Sequence, residues 1–272
     1  MPFVKRPAVR NTASAGFVIF ALMTGAAFAQ DRPKLDVPYV PTPQSVVDKM
    51  LDMAQVGPND IHLDLGSGDG RIAIGAAKRG ATSTGVDIDP DRIAEANENA
   101  KTAGVQDKVK FMRGNLFEMK ISDATVLTMY LLERVNAQLR PRVLDELKPG
   151  TRVVSHAFTM GDWVADERAS IENRDVYLWI VPAKVAGQWR VTDGEKSFTL
   201  QLDQQYQKIN GVATVDGKAV PIQSAALRGQ EITFSVPLAS GAKQYRGRVT
   251  GDAIEAIPAA SSSSANWRAT RG

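Results

Sequence analysis

The stretch Asp64-Leu65-Gly66-Ser67-Gly68-Asp69-Gly70 decides the fold of this chain. It follows a short apolar run at residues 61–65 and precedes a run of small residues at helical spacing, 71–79. Glycines at a strand-to-helix turn let the backbone approach a ligand, and the start of the helix offers free N–H groups. The motif therefore predicts a ligand-binding loop after a first strand. A tight turn without a ligand is the alternative.

Apolar strands and helices alternate around this loop. Strands are predicted at residues 61–65, 82–88, 109–113, 124–130 and 152–157, and helices at 71–79, 90–103 and 135–147. An earlier helix is predicted to begin with Thr42 as its N-cap and Pro43 at its first position. Residues 176–181 and 187–191 are predicted to form a closing antiparallel pair. Strands separated by helices indicate the α/β class, with a doubly wound, Rossmann-like parallel sheet.

The texture changes after about residue 184, where helical periodicity ends. Short alternating runs follow at residues 197–202, 211–215, 231–236, 244–249 and 253–257. Turn signals such as Asn210-Gly211 and Asp216-Gly217 separate them. The sequence therefore predicts a Rossmann-like domain at 38–186 and a small antiparallel β-domain at 187–272. We expect the second domain to make no contribution to ligand binding.

The first 29 residues have the features of a signal peptide. A positive segment with Lys5, Arg6 and Arg10 precedes a mostly apolar run at 15–26, and Ala27-Phe28-Ala29 fits a cleavage site. We expect a periplasmic or secreted protein without a stable membrane span after cleavage. If Met23 is the true start, the protein is instead cytoplasmic.

Composition excludes several kinds of site. The chain has no cysteine and two histidines, His62 and His156, so no metal site is predicted. Residues 1–29 carry three of the 33 Lys and Arg, which leaves 30 positive against 30 negative side chains. This balance leaves no excess of positive charge that would favour the binding of nucleic acid. No pattern in the sequence sets an oligomeric state.

Three positions narrow the ligand. Arg71 stands where a dinucleotide fingerprint needs glycine or alanine, which argues against NAD and FAD. Asp64 ends the first strand, where a buried carboxylate needs a donor such as an ammonium group. Asp87 closes the second strand and can accept hydrogen bonds from ribose hydroxyls. Its alternative role is a helix N-cap, but Asp89 already fills that position.

The loop at 64–70, Asp87 and the pair Gly114-Asn115 together resemble the motifs of class I, seven-strand methyltransferases that bind S-adenosylmethionine (SAM). The resemblance covers about residues 38–190 and implies SAM as the cofactor. It implies that Asp87 holds the ribose and that Asn115 replaces the aspartate that usually contacts the adenine amine. The implied cofactor-binding set is Tyr39, Asp64, Gly66, Ser67, Gly68, Gly70, Asp87 and Asn115.

A narrower resemblance rests on Tyr39-Val40-Pro41, Tyr130-Leu131-Leu132 and the segment Val153-Val154-Ser155-His156. These are similar to the family of lysine methyltransferases that modify the ATP synthase c-subunit. The resemblance implies N-methylation of a protein lysine. It also implies that the segment at Tyr39 closes over SAM and that Tyr130, Leu131 and Leu132 face the acceptor amine.

An amine acceptor must lose a proton before it attacks a methyl group, so the acceptor site needs a polar group nearby. Tyr130 and His156 are the catalytic candidates, because both lie at the C-terminal ends of predicted strands, where open sheets bind ligands. Packing is the alternative for each. Trp163, beside Asp162, is a candidate contact for a cationic lysine, or else a core residue.

Two other functions stay open: an exported binding protein with a catalytically silent scaffold, and a methyltransferase of small molecules. SAM binding separates the binding protein from the enzymes.

Overall fold

The computed structural model describes residues 1–4, 37–239, 241–258 and 266–272. Residues 33–272 belong to one compact unit, which contains two β-sheets. Apart from its first four residues, the predicted signal peptide at 1–29 lies outside the described residues. None of the described helices is long and apolar enough to cross a bilayer.

The first sheet has seven strands in the order β3-β2-β1-β4-β5-β7-β6. Its elements are α1 (Gln44–Met53), β1 (Ile61–Leu65), α2 (Arg71–Lys78), β2 (Thr82–Asp87), α3 (Pro90–Thr102), β3 (Val109–Arg113), β4 (Val126–Met129), α4 (Glu133–Glu146), β5 (Arg152–His156), β6 (Glu167–Ile171) and β7 (Arg174–Ile180). Strands β1 to β5 are parallel and β7 is antiparallel to β5. The predicted doubly wound α/β fold is confirmed. The strand order reverses between β1 and β4, where open sheets bind ligands.

Both faces of this sheet are covered by helices. All four residues of β4 are buried. Leu127 and Met129 share a core cluster with α4, whereas Val126 belongs to a cluster that contains α1. Opposite faces of one strand thus serve two helical layers, as the alternation of side chains along a strand requires. Burial of each such side chain stabilises the fold by roughly 1.5–3 kcal/mol.

Two details of this first half differ from the sequence prediction. Pro43, not Thr42, precedes α1, and no side chain caps that helix. The Thr42 hydroxyl instead lies 3.2 Å from Nδ1 of His156. This contact with His156 takes the place of a hydrogen bond between the hydroxyl and the N-terminus of α1. The predicted closing pair is also wrong, because β7 lies between β5 and β6 and is antiparallel to both. Residues 187–191 belong to the second sheet.

The second sheet has nine antiparallel strands in the order β11-β10-β9-β8-β16-β15-β14-β13-β12. They are β8 (Gly187–Asp193), β9 (Lys196–Gln205), β10 (Lys208–Val215), β11 (Lys218–Pro221), β12 (Gln223–Arg228), β13 (Glu231–Leu238), β14 (Gly241–Thr250), β15 (Ala253–Ala256) and β16 (Trp267–Arg271). Its edge strands, β11 and β12, are consecutive in the chain and separated only by Ile222. The sheet therefore curls until its two edges meet, around an aromatic core that includes Phe234, Tyr245 and Trp267.

One predicted turn of this sheet is wrong. Asn210-Gly211 lies inside β10, and the reversal occurs at Tyr206-Gln207. Gly211 serves close strand packing, because a Cβ there would lie 2.2 Å from the carbonyl oxygen of Gln201. The turn at Asp216-Gly217 is confirmed, and both residues have the positive φ of a two-residue hairpin turn.

Candidate active site

A cavity lies beside the loops that follow β1, β2 and β4. It contains about 870 Å³ of space between atoms, which includes solvent at its open mouth. Its lining comes from residues 37–42, the loop after β1, the ends of β2 and β3, and Tyr130. All of these segments meet at the carboxyl edge of the parallel strands.

The floor of the cavity joins the glycine loop to Asp87. The N–H of Gly68 donates to Oδ2 of Asp87 at 2.8 Å, and the N–H of Asp89 donates to Oδ1 at 3.0 Å. Each carboxylate oxygen keeps a further lone pair for a ligand hydroxyl. Gly68 has φ +52°, and a Cβ there would lie 2.5 Å from the Tyr39 ring. Glycine is therefore required where Tyr39 crosses the loop.

Two buried polar atoms beside the loop lack a hydrogen-bond partner within the described part of the chain. They are Oδ2 of Asp64 and Oγ of Ser67. The other oxygen of Asp64 accepts a 2.7 Å hydrogen bond from Thr128. Burial, with smaller contributions from Asp87 and Asp69, raises the pKa of Asp64 to about 7. Unpaired buried acceptors are costly, so both atoms suit a ligand that brings donors or positive charge.

A buried histidine fixes the group that holds Asp64. His62 bridges Ser83, 2.8 Å from Nδ1, and Thr128, 2.9 Å from Nε2. Because Thr128 donates its only proton to Asp64, Nε2 of His62 carries the proton given to Thr128. Burial lowers the pKa of His62 to about 3, so the ring is neutral near pH 7. This chain links β2, β1 and β4 beneath the site.

The segment at residues 37–42 covers the cavity and is held on the glycine loop. The Arg92 guanidinium lies 4.6 Å from the Tyr39 ring centroid. Burial, with a smaller contribution from the charge of Asp69, raises the pKa of Tyr39. Arg71 pairs with Asp69 and donates a 2.7 Å hydrogen bond to the Thr42 carbonyl. Burial alone raises the pKa of Asp69, but hydrogen bonds from Arg71 and its charge outweigh it, so this pKa lies below its usual value.

Aromatic residues form the wall after β4 and β5. The Tyr130 ring lies 3.9 Å from the His156 ring and 6.2 Å from the Phe158 ring, centroid to centroid. Tyr130 lines the cavity, whereas His156 is 1% exposed behind it. Burial, with a smaller contribution from the charge of Arg174, lowers the pKa of His156 to about 4. The imidazole is therefore neutral near pH 7.

Comparison with known proteins identifies the family of this chain and its cofactor. The family model of the ANTKMT methyltransferase domain matches residues 64–167. A curated protein-lysine N-methyltransferase of Saccharolobus islandicus is 48% identical over 151 residues, which are 53% of this chain and 94% of the relative. A lysine N-methyltransferase of the ATP synthase c-subunit from Rattus norvegicus is 28% identical over 166 residues, 57% of this chain and 76% of the relative.

A similar solved structure is also that of a methyltransferase. The crystal structure of a Salinibacter ruber protein described as an RNA methyltransferase, in complex with S-adenosyl-L-homocysteine, is 52% identical with a TM-score of 0.53. The similarity covers 54% of this chain and 96% of that one. The chain belongs to the class I SAM-dependent methyltransferases. Its cofactor is SAM, and the two orphaned acceptors and the glycine floor fit that group.

The methyltransferase brings most of the predicted cofactor residues together. The cavity is lined by Tyr39, Gly66, Ser67, Gly68, Asp87 and Asn115. Asp64 and Gly70 lie outside the lining, the first buried beneath the loop and the second at the start of α2. The Asn115 amide is engaged locally, because it accepts from the N–H of Phe117 and donates to Glu118.

The predicted acceptor residues are more scattered. Of this set, Tyr130 lines the cavity, and His156, Leu131, Leu132 and Trp163 do not. Leu131 is buried under the glycine loop, where a Cβ on Gly66 would lie 2.8 Å from its Cδ2. Leu132 is half-buried at the N-cap of α4. Trp163 is fully buried, which matches its alternative role as a core residue.

Sequence reasoning missed several residues of the methyltransferase site. Ile88 and Leu116 line the cavity directly after Asp87 and Asn115, where apolar side chains can flank a flat base. Their position next to the two polar residues is a usable signal. Arg71 served only to exclude dinucleotides, yet it fastens the covering segment. Within the described residues, no cluster of His, Asp and Glu could hold a metal ion.

Proposed function

We propose that this methyltransferase transfers the SAM methyl group to lysine side chains of proteins. The observation that carries the proposal is the 48% identity with a protein-lysine N-methyltransferase across 94% of that relative. The rat relative, a lysine N-methyltransferase of the ATP synthase c-subunit, supports the same acceptor chemistry. Balanced charge after residue 29, with 30 positive and 30 negative side chains, argues against an RNA acceptor.

The roles of the side chains follow from their positions. Asp87 holds ribose hydroxyls with its free lone pairs, and Ile88 and Leu116 flank the adenine. Asp64 and Ser67 accept from the amino acid part of the cofactor. SAM would supply an electrophilic methyl group on a sulfonium, whose sulfur leaves with the bonding electron pair as a neutral thioether. The protein therefore needs to orient the two reactants and exclude water rather than supply a nucleophile.

The covering segment provides the exclusion of water. Tyr39, Val40 and Pro41 line the cavity. The segment is held by Arg92, which lies over the Tyr39 ring, and by Arg71, which donates to the Thr42 carbonyl. Closure lowers the local dielectric constant, which strengthens the interactions of the cofactor charge with the groups that face it. Opening of this segment would be needed for exchange of the cofactor.

The acceptor amine must arrive uncharged to attack the methyl group. We assign Tyr130 to contact with the acceptor, because it is the cavity-lining aromatic residue at the end of β4. An apolar, aromatic wall lowers the pKa of an entering lysine by desolvation and so favours the neutral amine. His156, which lies behind Tyr130 and touches Thr42, positions the aromatic wall and the covering segment.

Export is the second part of the proposal. The basic segment, the apolar run and Ala27-Phe28-Ala29 support a periplasmic or secreted enzyme that acts on proteins outside the cytoplasm. A start at Met23 would place the same enzyme in the cytoplasm.

Transfer of labelled methyl groups tests the acceptor class. The protein is incubated with methyl-tritiated SAM and a desalted bacterial extract, and protein and RNA fractions are then separated. Acid hydrolysis of the protein fraction should yield labelled methyl-lysine. Label confined to RNA or to small molecules would refute lysine as the acceptor and leave the SAM site intact.

A further inference from the structure

The tip of the β9–β10 hairpin is one of the places where the second sheet meets the first half of the chain, and the ion pair between Arg228 of β12 and Glu167 of β6 is another. This tip is Tyr206-Gln207, and it meets the loop at residues 157–166, which connects β5 to β6. We propose that the tip is a positioning element for the acceptor side of the active site. The acceptor class rests on the function proposed above, but the structural coupling does not.

The 157–166 loop begins at the cavity wall. Phe158 follows β5 and stacks with Tyr130 at 6.2 Å between ring centroids and 23° between ring planes. The Asn136 amide donates to the carbonyls of Phe158 and Thr159, both at 3.2 Å. Displacement of this loop would therefore move the Phe158 ring on which Tyr130 rests.

The hairpin tip holds the middle of the same loop. Oε1 of Gln207 accepts a 2.9 Å hydrogen bond from Nε1 of Trp163, and its Nε2 donates to the Val164 carbonyl at 2.7 Å. The Tyr206 hydroxyl lies 3.1 Å from both carboxylate oxygens of Asp162. Its ring also stacks with Trp163 at 5.9 Å and 24°. One hairpin tip thus fixes three consecutive residues.

The backbone of the tip is strained at Tyr206. Tyr206 has φ +56°, a left-handed conformation that is unfavourable for a bulky side chain. The next hairpin in the chain turns at Asp216-Gly217, residue types that adopt positive φ readily. The contacts of the Tyr206 side chain with Asp162 and Trp163 offset the cost of this conformation.

The packing of Trp163 transmits this restraint. The Trp163 indole is fully buried. The backbone carbonyl of Trp163 accepts a 2.8 Å hydrogen bond from Nε1 of Trp179 in β7. Arg140 of α4 donates to the Met160 carbonyl at 2.7 Å. The loop is therefore fixed from α4 and β7 on one side and from the second sheet on the other. Loss of the tip contacts frees the loop without touching the cofactor floor at Gly68 and Asp87.

Full-length variants test the coupling. Gln207→Leu removes both hydrogen bonds to the loop and keeps a side chain of similar size. Tyr206→Phe removes only the contact with Asp162. Gln205→Leu is the control, at an exposed position of the same hairpin. Amide exchange in residues 157–166 should rise at least severalfold in Gln207→Leu, less in Tyr206→Phe and not in the control. The Kd for S-adenosylhomocysteine should stay within twofold. Initial methyl incorporation into extract protein at limiting protein concentration should fall about tenfold in Gln207→Leu.

Two results would overturn the proposal. One is unchanged exchange and transfer in Gln207→Leu and Tyr206→Phe. The other is a loss of S-adenosylhomocysteine affinity in parallel with transfer, which would indicate general disruption. If Gln207→Leu fails to fold, Tyr206→Phe carries the same comparison, because it keeps the ring. Absence of lysine methylation by the parent refutes the proposed function, whereas the exchange measurement tests the tip without any acceptor.

Discussion

The backbone N–H of Gly68 donates a 2.8 Å hydrogen bond to Oδ2 of Asp87. Gly68 belongs to the loop after β1, and Asp87 ends β2. The carboxylate that we propose faces the ribose is therefore oriented by the glycine loop that we propose holds the amino acid part of SAM. A change in either residue is expected to disturb both halves of the cofactor site.

Gly68→Val should abolish binding of SAM and S-adenosylhomocysteine. The new side chain would start 2.5 Å from the Tyr39 ring, so either the loop or the covering segment must move. Gly104→Val is the matched control, because Gly104 also has positive φ but faces open space. Isothermal titration should show parent-like affinity for the control only. Equal affinity of Gly68→Val and the parent would place the cofactor elsewhere.

Asp87→Ala should weaken SAM binding by roughly 1–3 kcal/mol, through lost hydrogen bonds to the ribose. Asp91→Ala, an exposed carboxylate in the first turn of α3, should leave the affinity unchanged. Titrations with NAD should give no binding to any of these proteins, since Arg71 replaces the small residue that a dinucleotide requires. Measurable affinity for NAD would contradict the cofactor assignment.

The stability of the cofactor-free protein should report on Asp64. Burial raises its pKa from 3.8 to about 7, so between about pH 4 and 7 the folded protein holds a proton that the unfolded chain has lost. The stability gained from the neutral carboxyl is therefore lost as pH rises through this window, by up to about 1.4 kcal/mol per pH unit, and the loss stops above it.

Asp64→Asn removes this titration and leaves the others in place. Urea unfolding at several pH values should show the parent losing stability relative to Asp64→Asn from pH 4 to 7, with a constant difference above pH 8. A difference that does not vary with pH would mean that Asp64 is ionised throughout.

Export predicts a new N-terminus at Gln30. Protein recovered from fractionated cells should begin there and should be found outside the cytoplasm. N-terminal sequencing is the measurement. Cytoplasmic protein that begins at Met23 would contradict the export proposal, although it would leave the methyltransferase assignment unaffected.

Local patterns sufficed for the part of the fold that carries the cofactor. The glycines, the strand-ending Asp87 and the Asp89 cap are adjacent in sequence to the elements that they organise, and the structure places them as expected. Strand β6 was missed because Glu167–Ile171 is polar and largely exposed, so it has no apolar run. Its pairing with β7 supplies the structure that its own residues do not indicate.

The acceptor side depends on contacts between distant residues, which no local pattern contains. Thr42 meets His156 across 114 positions, so a residue that resembles a helix cap serves another purpose. Trp163 meets Gln207 across 44 positions, and this contact provides the hydrogen-bond partner of the buried indole N–H. In both cases a polar side chain found a tertiary partner that its neighbours in sequence did not specify.

Calorimetric titration of S-adenosylhomocysteine into the protein that begins at Gln30 tests the central claim most directly. The account predicts one site per chain with a Kd in the micromolar range, about −8 kcal/mol. Absence of binding heat at millimolar ligand, in a protein shown to be folded by circular dichroism, would contradict it.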